Sequence, residues 1–151
     1  MIKQSQSDVC RNVAERVRLA VGEELVQLEG GYRLSIDPAG QWPQIKARIL
    51  PVGIRWVRFE RSGETRKTHT VDIVFFGKIE GENEVEAIQA VLEKVAAFFM
   101  SREPANMEAN RYAACIGVET VPGADPGYDR SALYETPMMY LGGLRITLET
   151  L

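Results

Sequence analysis

Residues 44–76 read QIKARILPVGIRWVRFERSGETRKTHTVDIVFF, and the fold turns on this stretch. Ile45, Ala47 and Ile49 alternate with Lys46 and Arg48, the period of two that gives a strand one buried face. Pro51 cannot donate to a ladder and Gly53 marks a bulge, so the strand is expected to resume, kinked, through Ile54 to Arg61. Beyond the kink Ile54 and Trp56 fall on one face and Val57 and Phe59 on the other, which leaves the parity open. The polar run Arg61–Lys67 reads as a hairpin tip, after which Val71, Ile73 and Phe75 carry the core face of a returning strand. Val74 and Phe76 add apolar surface to the opposite face, so this strand is either central or covered on both sides.

Upstream, Val9, Val13, Val17, Val21 and Leu25 recur every four residues from Ser7 onward, with Arg11, Glu15, Arg16 and Arg18 elsewhere around the wheel. The pattern predicts an amphipathic helix capped by Ser5 or Ser7, with Asp8 at the positive end of its dipole and an Arg11–Glu15 pair. The turn formers Asp37 to Pro43 then approach the first strand. Downstream, Val85, Ile88, Leu92, Val95 and Phe99 define a second helix, entered through Asn83 and Glu86 as a capping box and stopped by Pro104 near Ser101 or Arg102. A third strand lies within Tyr112–Val121 and a fourth around Leu144, Ile146 and Leu148. The long connection between them carries Asp125, Tyr128, Asp129 and Tyr134. The order helix, hairpin, helix, hairpin predicts one α+β domain over residues 1–151, an antiparallel or mixed sheet of about four strands backed by two main helices.

Composition narrows the function classes. The 151 residues hold 18 Lys plus Arg against 21 Asp plus Glu, a net charge of −3, which suits a globular domain and argues against a surface built wholly to hold nucleic acid. With only Cys10, Cys115 and His69 there is neither a disulfide framework nor a zinc set, and a reducing intracellular compartment is the natural reading. The first eight residues lack the apolar core of a signal peptide, and no apolar run approaches a membrane span.

No phosphate loop, nucleophile elbow or metalloprotease motif is present, so no catalytic residue and no cofactor is expected. His69, at the start of a strand, reads as a hydrogen-bonded or exposed histidine and not a general base, and the two cysteines read as small packing residues. Glu80, Glu82, Glu84 and Glu86, like Asp125 and Asp129, lack the spacing of a calcium loop, and no metal is expected.

Charge distribution is the informative signal. Arg48, Arg55, Arg58, Arg61, Arg66 and Lys67 gather on the first hairpin, relieved only by Glu60 and Glu64. One reading is a solvated hairpin protected against edge-to-edge aggregation; the sharper one is a projecting arm that meets an acidic partner. Taken as lacking interleaved aromatics and a basic overall balance, the arm is expected to meet protein rather than to read nucleic acid.

The arrangement resembles the tail terminator (minor tail) proteins of bacteriophages, prophages and tail-like particles. The resemblance rests on the helix opening Asp8-Val9-Cys10-Arg11, the turn-rich Asp37–Pro43, and the strand Gln44–Leu50 running into an arginine-bearing hairpin. It continues through His69–Phe76, Glu84–Met100 and the closing LGGLRITL of residues 141–148.

This resemblance implies a structural subunit, not an enzyme, that forms a homo-hexameric ring on the last ring of tail-tube protein and stops its elongation. The other face would meet a head-completion or neck protein. The location implied is the host bacterial cytoplasm during assembly and then the virion tail, away from membranes. Interaction is assigned first to Arg58, Arg61, Arg66 and Lys67 and second to Asp125, Tyr128, Asp129 and Tyr134, because exposed tyrosine is favoured at interfaces. The alternatives are another head–tail joining subunit, a small ferredoxin-like regulatory or ligand-binding module, and an enzyme whose site only folding assembles.

Overall fold

The β3–β4 pairing organises the sheet in the computed structural model, which describes residues 3–22, 26–29, 33–36, 46–79, 81–121 and 139–151. Strands β1 (Val26–Glu29), β2 (Arg33–Ile36), β3 (Lys46–Arg58), β4 (Thr65–Lys78), β5 (Ala114–Thr120) and β6 (Met139–Thr150) form one sheet in the order β1-β2-β3-β4-β6-β5. Every neighbouring pair is antiparallel. Helices α1 (Gln6–Val21), α2 (Glu82–Phe99) and α3 (Pro104–Asn110) complete an α+β fold.

Sheet and helices meet through one apolar cluster. The α1 stripe Val9, Val13, Val17 and Val21 and the α2 stripe Val85, Ile88, Leu92, Val95 and Phe99 bury against alternate strand residues. Those residues are Ala47 and Ile49 on β3, Val71, Ile73 and Phe75 on β4, and Leu144, Ile146 and Leu148 on β6. The helices therefore cover one face of the sheet. On the other face Val74 and Phe76 are half-buried, Leu50 and Leu141 are exposed, and Arg145 holds Asp72 through two hydrogen bonds of 2.8 and 3.1 Å.

The β3 ladder slips between Pro51 and Gly53, where the sequence places a bulge. Pro51 pairs with Val71 on the helix side, but Gly53 pairs with Thr70 on the open side, so Val52 is the inserted residue. The open parity is thereby settled: Ile54, Trp56 and Arg58 face with the helices, while Arg55 and Val57 face away.

Several expectations are corrected. The sheet has six strands, because β1 and β2 lie between the expected helix and the turn-rich Asp37–Pro43, where no element was expected; Asp37–Pro43 itself lies outside the described residues. Helix α1 stops at Val21, where Gly22 takes φ 82°. The cap is Ser5, in a reciprocal capping box with Asp8, whose carboxyl the Ser5 hydrogen bonds hold below its ordinary range. Arg11 pairs with Asp8 and Glu15 with Arg18, three residues apart in each case, instead of Arg11 with Glu15. The N-cap of α2 is Gly81 without a side-chain cap, not an Asn83–Glu86 box. Strand β3 ends at Arg58 and β4 begins at Thr65, so the tip is shorter than Arg61–Lys67.

Arg16 is wholly buried, contrary to its expected polar position on the wheel. Its guanidinium donates to the Ala113 carbonyl at 2.8 Å, the Asn106 carbonyl at 3.3 Å and the Asn110 side chain, and lies 5.2 Å from the centre of the Phe99 ring. Burial pushes it down to about 10, with no carboxylate among the causes of the shift. Oxygens at the end of α3 and the stretch after it hold the charge in place of an anion. One side chain thus ties α1 to α3, to the end of α2 and to the start of β5. Asn106 reinforces the joint by donating to the carbonyls of Phe99 and Ser101.

Gly143 explains the glycine pair in the closing strand. A Cβ built there would lie 2.0 Å from the Ile73 carbonyl oxygen on neighbouring β4. Gly143→Ala is therefore expected to cost at least about 2 kcal/mol in urea melts, since a backbone atom cannot give way cheaply. A loss below about 0.5 kcal/mol would contradict this packing of β6 on β4.

Candidate functional site

The turn joining β3 to β4 is fixed by its backbone. Phe59 N–H donates to the Glu64 carbonyl and Gly63 N–H to the Phe59 carbonyl, both at 2.8 Å, and Gly63 takes φ 68°, a conformation open to glycine at no steric cost. Glu64 N–H donates to the Ser62 hydroxyl at 3.2 Å. The hairpin is not a free arm. Strand β6 runs alongside β4 as far as the Lys67–Thr150 pair, so only the Val57–Arg66 and Arg58–Thr65 pairs and the turn extend further.

The four basic residues singled out in the sequence divide into two kinds. Arg66 is engaged internally: it meets Glu149 at 2.9 Å and Glu64 at 3.6 Å and lies 5.2 Å from the centre of the Phe59 ring. Lys67 donates to the Gln4 carbonyl before α1. Arg58 and Arg61 are exposed and make no ion pair or hydrogen bond through their side chains among the described residues. Arg48 and Arg55 share that state. Four exposed arginines without a side-chain partner among the described residues thus run along β3 and its turn, at 48, 55, 58 and 61. The second group, Asp125, Tyr128, Asp129 and Tyr134, lies outside the described residues.

Aromatic residues do interleave with these arginines. Trp56 is 63% exposed and Phe59 43% exposed, so the reading that the basic stretch lacks interleaved aromatics is corrected. Their signal was present in the sequence as Arg55-Trp56-Val57-Arg58-Phe59-Glu60-Arg61. Trp56 also borders an open cleft of about 520 Å³, lined by Lys3, Glu64, Thr65, Lys67 and Leu151. The cleft lies on the helix side of the sheet, past the start of α1, because the bulge turns Trp56 and Lys67 to that side together.

The groups with reactive chemistry are packed elsewhere. Cys10 is buried and Cys115 half-buried, and burial pushes both thiols up, away from the thiolate that reactivity requires. His69 is fully buried on β4, its Nε2 lying 2.9 Å from the Thr150 hydroxyl. Among the described residues no three Cys, His, Asp or Glu side chains come close enough to hold a metal. No described helix is long and apolar enough to cross a membrane. No family model matches the chain, and no curated protein matches its sequence.

Burial, with Lys67 nearby, holds His69 below its ordinary 6.5. The unfolded chain therefore takes up this proton at a higher pH than the folded chain. Stability from this group is level above about pH 6.5 and falls as the pH drops through that value. His69→Gln, which can keep a bond to Thr150, is expected to flatten the slope of stability between about pH 7 and pH 5 in urea melts. An unchanged slope would assign the acid sensitivity to other groups.

Proposed function

We propose that this chain is a structural subunit of a tail terminator type, which closes into a ring on the end of a phage-type tail tube, stops its growth and offers its other face to a head or neck protein. The reading is supported first by the resemblance of the ordered elements to that family. The observation that carries it here is a set of exposed arginines without side-chain partners among the described residues: Arg48 near the start of β3, and Arg55, Arg58 and Arg61 interleaved with exposed Trp56 and Phe59. Arginine and tryptophan are the side chains that anchor protein interfaces, and unpaired guanidiniums in a chain of net charge −3 favour an acidic partner. Ring closure is a head-to-tail association, so each subunit needs two different patches. The half-buried apolar residues of the open sheet face offer a second one.

A ligand-binding module is the second reading, and the cleft beside Trp56 is the observation that favours it. Its volume of about 520 Å³ falls within the range of small-molecule pockets. Its open mouth and mixed charged lining fit a contact surface better than an enclosing site.

The test is a tube-length assay with purified tube subunits. Wild-type protein is expected to shorten tubes and cap their ends in electron micrographs. Arg58→Glu with Arg61→Glu is expected to leave the thermal melt unchanged and abolish capping. Full capping by this variant would remove the two arginines from the interface, and failure of the wild type to cap any tube would defeat the terminator reading.

A further inference from the structure

Strand β3 has two edges, and only one is fully used. Along its inner edge it pairs with β4 from Lys46 to Arg58. Along its outer edge β2 reaches only Lys46, Ala47 and Arg48, and among the described residues no strand follows from Ile49 to Arg58. Past the bulge, Gly53 to Arg58 is a regular, extended segment of common strand length. Such an edge presents backbone N–H and C=O groups that a further strand would pair.

We infer that this edge, Gly53 to Arg58, takes an added β-strand from a partner protein, and that the strand is acidic. The charge argument selects the occupant. Arg48 and Arg55 lie along the edge strand, Arg58 ends it and Arg61 stands on the turn, all without a side-chain partner among the described residues. A copy of the same edge would add its own arginines to a side already rich in them, which disfavours self-pairing, while a strand with Asp or Glu near Arg55 on the open face and near Arg58 on the helix side is favoured. Strand addition takes affinity from the main chain and specificity from pockets for alternate side chains. The cleft beside Trp56 is such a pocket, on the side where alternate residues of an added strand would point. A nucleic acid would meet the arginines and the indole but could not continue the ladder, which is why the open backbone edge favours protein.

The inference names the kind of partner for the surface in the proposed tail-cap reading and rests on it only for where that partner is found. Its test needs the isolated chain alone, so its failure would leave the tube assay standing, and the reverse also holds. A random peptide library would be selected on the immobilised protein, and the winners added to free protein while amide hydrogen exchange is followed. The expected winners carry acidic residues on both faces of the strand, among β-branched or aromatic residues, and slow exchange of outward amides between Gly53 and Arg58.

Arg55→Glu with Arg58→Glu is expected to weaken these peptides about tenfold and to shift a repeat selection toward basic sequences. Winners without acidic enrichment would overturn the proposal. So would acidic winners that leave the β3 amides unprotected, or a single-stranded oligonucleotide that displaces them at equal concentration.

Discussion

One slip in the β3–β4 ladder, at an inserted residue, decides which way the exposed side chains of β3 face. Val52 sits in the slip between Pro51 and Gly53, and because side chains alternate along a strand, one extra residue turns everything beyond it to the opposite side. Were strict alternation kept through Val52, with no slip in the ladder, Arg55 and Val57 would point toward the helices. With the slip, Ile54 packs beside buried His69, Trp56 turns to the cleft, and Arg55 turns to the open sheet face. Arg55 and Trp56 thereby occupy opposite faces of the same edge segment, with Arg58 on the face of Trp56.

The bulge can act only on a sheet that does not shift. Strand β4 supplies that rigidity, pairing on both edges with β3 and β6 over nearly its full length. Gly143 lets β6 approach β4 closely, and the Asp72–Arg145 fork crosses the same pair on the open face. Behind the sheet, Arg16 joins α1 to α3 and to Ala113 before β5 through oxygen acceptors, and to the end of α2 through the Phe99 ring. A buried guanidinium without a carboxylate is costly where its donors are unmet; Nη1 and Nη2 of Arg16 are met, its Nε has no partner among the described residues, and the acceptors on α3 hold α1 in place. The frame is consequently stiff where the surface is anchored, and the exposed arginines occupy its edge.

Much of this was legible in the sequence wherever a period ran long enough. The four-residue recurrence of valines in α1, the stripe of α2 and the alternation Val71, Ile73, Phe75 all mark buried faces correctly. The bulge was legible too, because proline and glycine within a strand each have a positional meaning. Strands β1 and β2 were not, although Val26 and Leu28, then Leu34 and Ile36, alternate on either side of Gly30-Gly31. Four-residue strands are too short to outweigh a helical repeat that Leu25 seemed to extend. Arg16 was missed because a wheel assigns charge to solvent, and only tertiary carbonyls reveal a buried cation. The site was half legible: composition locates the arginines, but which of them are free depends on Glu149, Glu64 and Gln4, residues distant from one another in sequence.

The central claim is that copies of this chain close head to tail through unlike surfaces, and particle mass tests it most directly. Light scattering with electron microscopy, across protein concentration and with tube subunits present, would measure it. The account predicts closed rings of six copies, formed freely or on the tube. A monomer or a two-fold dimer that persists at every concentration, with tube subunits present and no ring in the micrographs, would contradict it.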